Sequence, residues 1–377
     1  MQFATAVRAT EFDAFYTFNP ARLAQSTRAF VEGFPGRVLY AVKANPLPQV
    51  ISTVRAAGVA GFDVASIGEA LLVQAEAPGA RCWFMNPAKS RRDIERAWRE
   101  LGLHDFVVDC AAELEKLLEV LPTREPSIRI YVRFHSGASD ALYDLNRKFG
   151  ASHEETLRLL QCIAAQTTWS SGIAFHPGSQ TISAEPYLAA MQTAARLIEQ
   201  ADAPVAALDI GGGFPARYDN MPMPPPASLL ARLGEFIASS PALRRVELLC
   251  EPGRVLAYDC MSLFARVILR KDQALYCGAG IFGGLLPAQQ FFQLPVRAWR
   301  DGEPIDAAAD GRREFVVFGP TCDSNDRLAF PYALPTQLQE GDWIEFQHVG
   351  AYSESVRCAF NGFSVDHLVT VGEHELG

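Results

Sequence analysis

The stretch RVLYAVKANP, residues 37–46, begins the pattern that decides the fold. Its apolar run from Val38 to Val42 has the length and composition of a buried β-strand, and Lys43 follows at once. Pro46 then prevents the strand from continuing. A lysine at a strand end is usually solvated, so the rest of the chain must decide whether Lys43 carries chemistry.

Similar short apolar runs recur up to about residue 255 and alternate with helical patterns. The predicted strands cover residues 37–42, 61–64, 82–85, 106–109, 129–134, 173–176, 206–210 and 247–250. Amphipathic helical stretches include 48–57, 90–101, 153–165 and 184–199. Eight strands that alternate with helices predict a TIM-like (β/α)8 barrel, although counting alone leaves an open doubly wound sheet as an alternative.

Beyond residue 256 the pattern changes to strand-like segments divided by turns, such as EFVVFGP (314–320) and DWIEFQHVG (342–350). The segment FDAFYTF (12–18) precedes the first barrel strand and is expected to join this second sheet. We therefore predict three parts, namely an N-terminal strand within residues 1–19, a barrel over 20–255 and a C-terminal β domain over 256–377.

The composition favours an enzyme that acts on a small molecule. A net charge of −9 over 377 residues, without basic blocks, argues against nucleic acid and anionic membranes as partners. Arg8, Glu11 and Asp13 interrupt the N-terminal segment, so we expect neither a signal peptide nor a membrane span, and a cytoplasmic location. The eight cysteines form no CxxC pair, so no metal site is expected.

Polar residues follow several of the predicted strands, at the end of a barrel where functional groups gather. They are Lys43, Asp63, Arg133, His176, the glycine run Gly211, Gly212 and Gly213, and Glu251. The glycines follow the seventh strand, where barrels often bind phosphate, and Gly253 and Arg254 could complete such a pocket.

A lysine, a phosphate cradle and an inward carboxylate together indicate pyridoxal 5′-phosphate. Glu251 beside the pyridine nitrogen would keep that nitrogen protonated, and the pyridinium would withdraw electrons from the substrate α-carbon. The alternative for Glu251 is a surface salt bridge with Arg254. In FGPTCDSNDR (318–327), Cys322 lies in a polar turn and is either an accessible proton donor or an inert thiol.

The sequence resembles the fold-type III pyridoxal-phosphate decarboxylases, which include ornithine, lysine, diaminopimelate and arginine decarboxylases, and the resemblance to ornithine decarboxylase is greatest. The motifs are collinear: YAVKANP (40–46), FDVASIGE (62–69), RKFGA (147–151), FHPGSQ (175–180), DIGGGFP (209–215), EPGR (251–254), GPTCDSND (319–326), GAYS (350–353) and FNGF (360–363). The resemblance implies an alanine-racemase-like fold, in which a β/α barrel is joined to a β domain.

The resemblance also implies a role for each residue that matches a motif. Lys43 would form the Schiff base and His176 would stack on the cofactor; Ser179, Gly213, Arg254 and Tyr352 would hold the phosphate; Glu251 would pair with the pyridine nitrogen, with Asp63 and Arg133 as supporting residues. The family acts as a homodimer with shared sites. Cys322 would then protonate the decarboxylated substrate, Asp323 would hold its distal amine, and Lys148 would pair with Asp326 across the interface.

One departure limits the choice of substrate. Ornithine decarboxylases carry an acid that recognises the distal ammonium, but no Asp or Glu occurs here between Asp272 and Asp301, and Pro287 or a neighbour stands at the matching place. Either Asp323 alone accepts a diamino acid, or the pocket takes a non-cationic or conjugated amino acid. A racemase is disfavoured by Glu251, because alanine racemases use arginine there, and an idle homologue by the presence of every cofactor residue.

Overall fold

The fold was examined in a computed structural model that describes residues 11–137, 139–289, 291–305 and 311–372. The predicted N-terminal part and β domain extend beyond these residues, at 1–10, 306–310 and 373–377. The chain divides into two compact units. The barrel unit comprises Thr27–Pro215 and Pro224–Val255, and the sheet unit comprises Met1–Ser26, Ala216–Met223 and Leu256–Gly377. This division places residues 20–26 and 216–223 with the sheet, whereas the sequence boundaries at 20 and 256 stay a prediction.

The barrel unit is a closed ring of eight parallel strands, which confirms the predicted (β/α)8 barrel and excludes the open sheet. With β1 (Ala14–Phe18) preceding it, the barrel strands are β2 (Arg37–Ala41), β3 (Gly61–Val64), β4 (Cys82–Phe84), β5 (Asp105–Val108), β6 (Arg129–Arg133), β7 (Ser170–Ala174), β8 (Ala207–Asp209) and β9 (Glu247–Cys250). Each strand pairs with the next, and β9 closes the ring on β2.

Helices follow most of the barrel strands. They are α1 (Pro20–Gly33), α2 (Pro48–Ala56), α3 (Ile67–Glu76), α4 (Arg91–Arg99), α5 (Ala111–Val120), α6 (His153–Gln166), α7 (Glu185–Gln200), α8 (Pro226–Ser239) and the short α9 (Arg254–Ala257). Serine side chains cap several of them; Ser66, for example, accepts from the backbone N–H of Glu69 at the start of α3. None of the described helices is both long and apolar enough to cross a membrane.

Large side chains fill the barrel interior, so it is a packed core and not a pore. One buried cluster draws a residue from nearly every barrel strand: Leu39, Trp83, Val107, Tyr131, Ala174, Ala207 and Leu249. Room for the two aromatic rings comes from glycines, because a Cβ on Gly61 would overlap Trp83 and a Cβ on Gly172 would lie 2.7 Å from Tyr131. This core leaves the C-terminal ends of the strands for polar groups.

The sheet unit is built around the long strand β10 (Met261–Lys271). The other strands are β11 (Ala274–Cys277), β12 (Val296–Arg300), β13 (Glu303–Pro304), β14 (Arg312–Phe318), β15 (Tyr332–Pro335), β16 (Trp343–Phe346) and β17 (Leu368–Thr370). Strand β1 pairs antiparallel with β10 and parallel with β17, so the segment before the barrel joins this sheet. Its face packs Phe15, Phe264, Trp299 and Trp343 into one core.

We predict that Phe15→Ala lowers the free energy of unfolding by about 3–5 kcal/mol, the usual cost of removing a buried phenylalanine. Phe15 stacks on Phe264 at 4.9 Å and meets the edge of Trp343 at 5.3 Å between ring centroids. Urea denaturation followed by tryptophan fluorescence measures the loss. The matched control is Phe12→Ala, because Phe12 is 47% exposed and its loss should cost less than about 1 kcal/mol. Equal losses for the two variants would contradict the burial argument.

Candidate active site

Lys43 lies in a tight helical turn, Val42–Ala44, immediately after β2. Its Nζ is 2.7 Å from Oδ2 of Asp63, which lies on the neighbouring strand β3 and is 2% exposed. The pairing of Ala41 with Asp63 in the sheet brings the two side chains to the same end of the barrel. Lys43 itself is 42% exposed, so the cation is held by a buried carboxylate and still open to a reactant.

The glycine run after β8 forms a surface without side chains. Gly211 and Gly213 have φ values of 68° and 89°, which favour glycine. A Cβ on either would also overlap a backbone oxygen, that of Phe175 for Gly211 and that of Gly178 for Gly213. The backbone N–H of Thr181 donates to the carbonyl of Gly213 at 2.9 Å and fixes the two segments together.

His176 follows β7 and is buried against this glycine run. Its Nδ1 accepts a hydrogen bond from the backbone N–H of Gly178 at 3.1 Å, which leaves the proton of the neutral ring on Nε2. Burial lowers the pKa of His176 well below its ordinary value, and the positive charges of Arg133 and Lys43 lower it further. The ring is therefore neutral at physiological pH.

Two carboxyl groups lie buried side by side at the same end of the barrel. Asp209 ends β8 and accepts from the N–H of Gly211 at 2.8 Å; Glu251 follows β9, and its own N–H donates to the carbonyl of Gly211 at 2.8 Å. Burial raises the pKa of Asp209 to about 7. Burial, and then the negative charge of Asp209, raises the pKa of Glu251 well above its ordinary value. Such a pair is stabilised by any cation that enters the site.

Arg133, at the end of β6, brings a half-buried positive charge to this group. Burial lowers its pKa, while the charges of Glu251 and Asp109 oppose that change. Its Nη2 atom is buried and makes no hydrogen bond to any residue that the structure describes. A buried guanidinium N–H without an acceptor indicates a place for a further polar group.

Arg254 and Ser179 meet next to the glycine run. Arg254 is 7% exposed, and its Nη2 donates to Oγ of Ser179 at 3.4 Å. Ser179 is fixed by backbone hydrogen bonds with Tyr143 in both directions. Gly253 packs against the turn that carries Lys43, since a Cβ there would lie 2.7 Å from the side chain of Ala44. The structure thus brings together the barrel residues that the sequence predicted for the site.

Cys322, Asp323 and Tyr352 belong to the sheet unit. Cys322 is exposed, and both its backbone N–H and its thiol donate to Oδ1 of Asn361, each at 3.2 Å. Asp323 accepts from the N–H and the side-chain amide of Asn325, at 2.8 and 3.0 Å. Tyr352 has a φ of 56°.

Asp326 has a role in its own chain that the sequence did not indicate. It is 2% exposed, and its carboxylate accepts from the N–H and hydroxyl of Thr321, at 3.1 and 2.7 Å, and from the N–H of Ile281 at 2.9 Å. It therefore ties the loop of Cys322 to the segment after β11. Lys148 is exposed, with its Nζ 5.0 Å from the ring centroid of Phe149, and its pairing with Asp326 stays a prediction.

The segment that lacks an acid folds as a wide helical turn, Ile281–Leu285, followed by a tight turn, Leu286–Gln289. The ring of Phe282, which is half-buried, contacts that of Phe360 with centroids 4.8 Å apart. The acid-free segment thus contributes an aromatic ring, that of Phe282, to a contact within the sheet unit.

Sequence reasoning missed two residues of the barrel site. Asp209 ends β8, so its position at a strand end is the same sequence signal that indicated Lys43 and Glu251. Glu69 lies near Asp63, and its carboxylate accepts from the N–H of Ala65 at 2.6 Å. Ser66 and Glu69 have the sequence spacing of a capping box, although the Glu69 carboxylate accepts from Ala65 and not from Ser66.

Comparison with known proteins gives consistent similarities. The family described as "Pyridoxal-dependent decarboxylase, pyridoxal binding domain" matches residues 21–258. The decarboxylase flvG of Aspergillus flavus is 32% identical over 348 residues, covering 87% of this chain and 78% of that protein. The lysine/ornithine decarboxylase of Selenomonas ruminantium is 32% identical over 338 residues, covering 86% and 81%. The crystal structure of a lysine/ornithine decarboxylase from Vibrio vulnificus, complexed with putrescine, has a TM-score of 0.83 at 28% identity, covering 100% of this chain and 98% of that one.

We predict that Asp209→Asn makes the thermal stability of the cofactor-free protein less dependent on pH. Asp209 has a pKa of about 7 when folded and about 4 when unfolded, so between these values the folded state binds more protons. The wild-type protein should lose stability as pH rises from about 4 to about 7, and the variant should lose less. Melting temperatures across this range measure the difference. Parallel curves for the two proteins would contradict the assignment.

Proposed function

The chain belongs to the pyridoxal-dependent decarboxylases, and we propose that it decarboxylates an amino acid bound beside Lys43, in a pocket that lacks the usual specificity acid. It is a pyridoxal-phosphate-dependent carboxy-lyase whose relatives act on amino acids. The observation that carries the proposal is the pair of Lys43 and Asp63 at 2.7 Å, next to the glycine run and the buried acids. The substrate, the residue roles and the assembly are the parts proposed here.

The residues in this end of the barrel fit pyridoxal phosphate. A phosphate requires backbone that can approach closely, and the glycine run has no space for a Cβ at Gly211 or Gly213. It also requires a cation beside that backbone, and the guanidinium of Arg254, buried next to the glycine run, is such a group. A protonated pyridine requires a counter-charge, which the buried pair Asp209 and Glu251 supplies.

The residues of the site would together contact all parts of the cofactor. Lys43 would hold it covalently, and His176 would lie on its face as a neutral ring. Ser179, Gly211, Gly212, Gly213, Gly253, Arg254 and Tyr352 would hold the phosphate, with Asp63 and Arg133 as supporting residues. The bound cofactor would supply an electron sink for the bond to the departing carboxylate.

The electrostatics of the barrel residues would prepare this reaction. Glu251 would become ionised beside the pyridine nitrogen and keep a proton there, with Asp209 strengthening the negative field. His176, being neutral, would add no charge that competes with this pair. Asp63 is placed to hold the proton that Lys43 must release before it can bond covalently, because its Oδ2 already accepts from the ammonium.

Cys322 would supply the proton that replaces carbon dioxide on the substrate, and Asp323 would contact the distal group. We further propose a homodimer in which the Cys322 loop of one chain completes the site of its partner, with Lys148 and Asp326 at the interface. Exposure of Cys322 and Lys148 in the single chain supports this arrangement. The buried carboxylate of Asp326 would then anchor the Cys322 loop, and Lys148 of the other chain would contact this loop beside Asp326.

The substrate is either a diamino acid held by Asp323 alone or an amino acid with a non-cationic or conjugated side chain. Absence of any Asp or Glu between Asp272 and Asp301 favours the second, because a buried ammonium needs counter-charge. The aromatic contact of Phe282 with Phe360 also favours an apolar distal group. A panel of L- and D-amino acids and diamino-acid conjugates, scored by carbon dioxide release, distinguishes the two.

We expect Lys43→Ala to abolish the visible absorbance band of the covalently bound cofactor and to lower decarboxylation by on the order of 10³-fold or more, since both covalent attachment and proton transfer are lost. Absorbance spectra after saturation with pyridoxal phosphate measure the first effect. The matched control is Lys148→Ala, which should retain the band because Lys148 lies outside the cofactor residues. A band that persists in Lys43→Ala would overturn the proposed function.

We expect Pro287→Glu to raise kcat/KM for L-ornithine or L-lysine by about 10-fold, because a charged hydrogen bond to a buried ammonium contributes about 1.5–3 kcal/mol. The matched control is Pro287→Gln, which introduces a side chain of similar size without the charge. Steady-state rates of carbon dioxide release measure both variants. Unchanged rates in Pro287→Glu would show that the missing acid at this place does not limit the substrate range.

A further inference from the structure

One side-chain oxygen contacts Cys322 twice. Oδ1 of Asn361 accepts from the backbone N–H of Cys322 and from its thiol, each at 3.2 Å. Two donors on one oxygen fix the orientation of the amide, because its NH₂ group could accept neither bond. The thiol is therefore held in one direction although Cys322 is exposed.

The turn that carries Asn361 has a conformation that holds its side chain in a fixed place beside Cys322. Asn361 has a φ of 56° and a ψ of 16°, a left-handed conformation that asparagine tolerates better than most residues with a side chain. The preceding Phe360 packs against Phe282, which holds the turn in place. The carboxylate of Asp326 accepts from the N–H groups of Thr321, the residue before Cys322, and of Ile281, and so fixes the base of the Cys322 loop. The loop thus has an anchor at its end and a second contact at the thiol.

We propose that Asn361 is a positioning residue that holds the Cys322 thiol in one direction, so that Cys322 delivers its proton to one face of the substrate. The amide oxygen accepts the S–H hydrogen, so the hydrogen bond fixes the direction in which the thiol points. The inference rests on the proposed role of Cys322.

The proton transfer balances as follows in atoms and electrons. The S–H bond of Cys322 breaks, its electron pair stays on sulfur, and the electron pair left on the substrate α-carbon by departing carbon dioxide forms the new C–H bond. The exposed thiolate then recovers a proton from water, and the hydrogen bond to Asn361 forms again. Asn361 undergoes no net change.

The test compares alkylation of Cys322 by iodoacetamide in the holoenzyme and its variants, with each cysteine followed by peptide mass spectrometry. Asn361→Gly removes the side chain and accepts the left-handed backbone without strain. It should make Cys322 react about 3- to 10-fold faster, because the thiol is no longer held by its hydrogen bond to the amide oxygen. Asn361→Asp keeps an acceptor and adds negative charge, so its Cys322 should react no faster than in the wild type.

Two controls separate this effect from a general loosening of the structure. Cys110, exposed in the barrel unit, should react at the same rate in every variant. Asn325→Gly makes the same change in the Cys322 loop at a side chain that contacts Asp323, and should leave the Cys322 rate unchanged. A wild-type rate for Cys322 in Asn361→Gly, or acceleration equal to that in Asn325→Gly, would overturn the inference.

A second measurement separates this inference from the proposed function. With a substrate found in the panel and deuterium oxide as solvent, a single positioned donor gives an amine with one configuration at the deuterated carbon. Asn361→Gly should give a mixture of both configurations while its cofactor absorbance stays that of the wild type. A single configuration in Asn361→Gly would contradict the positioning role. A single configuration in Cys322→Ala would instead contradict the proposed role of Cys322 as the proton donor.

Discussion

Burial of charge at one end of the barrel is the constraint on which the site depends. Asp63, Asp209 and Glu251 lie almost without solvent contact, and burying a carboxylate is costly unless a cation or a proton accompanies it. The ammonium of Lys43 neutralises Asp63, and burial favours the protonated, uncharged forms of Asp209 and Glu251. A cation that entered the site would favour the ionised forms of both acids.

That arrangement is possible only because the interior below it is rigid. Trp83 and Tyr131 fill the barrel, and glycines on neighbouring strands make room for their rings. A close-packed core of this kind fixes the strand ends to within small distances, so a residue such as Asp63 keeps its separation from Lys43. The positions of the charged groups therefore depend on the apolar packing below them, although the apolar residues take no part in the chemistry.

The sequence predicted the barrel because strand periodicity and helix amphipathicity are local properties, readable within a dozen residues. It also predicted that Lys43, His176 and Glu251 lie just after barrel strands, since a position at a strand end is local too, and their roles stay predictions. The contacts of Asn361 and Asp326 could not be predicted in this way, because they join residues that are far apart in the sequence. Asn361 meets Cys322 from 39 residues away, and Asp326 meets Ile281 from 45 residues away. Such contacts depend on how turns fold over each other, and no periodicity in a single sequence encodes them.

The polar residues of the barrel unit and those of the sheet unit differ in how deeply they are buried. The barrel unit holds Asp63, Asp209 and Glu251 buried, and exchange of Asp63 would remove the carboxylate that pairs with the ammonium of Lys43. The sheet unit holds Cys322, Asp323 and Phe282 on exposed or half-exposed turns. Turns of this kind tolerate substitution, because few buried groups depend on them. The segment between Asp272 and Asp301, which holds no Asp or Glu, includes such turns, so its side chains can change without disturbing the buried acids of the barrel.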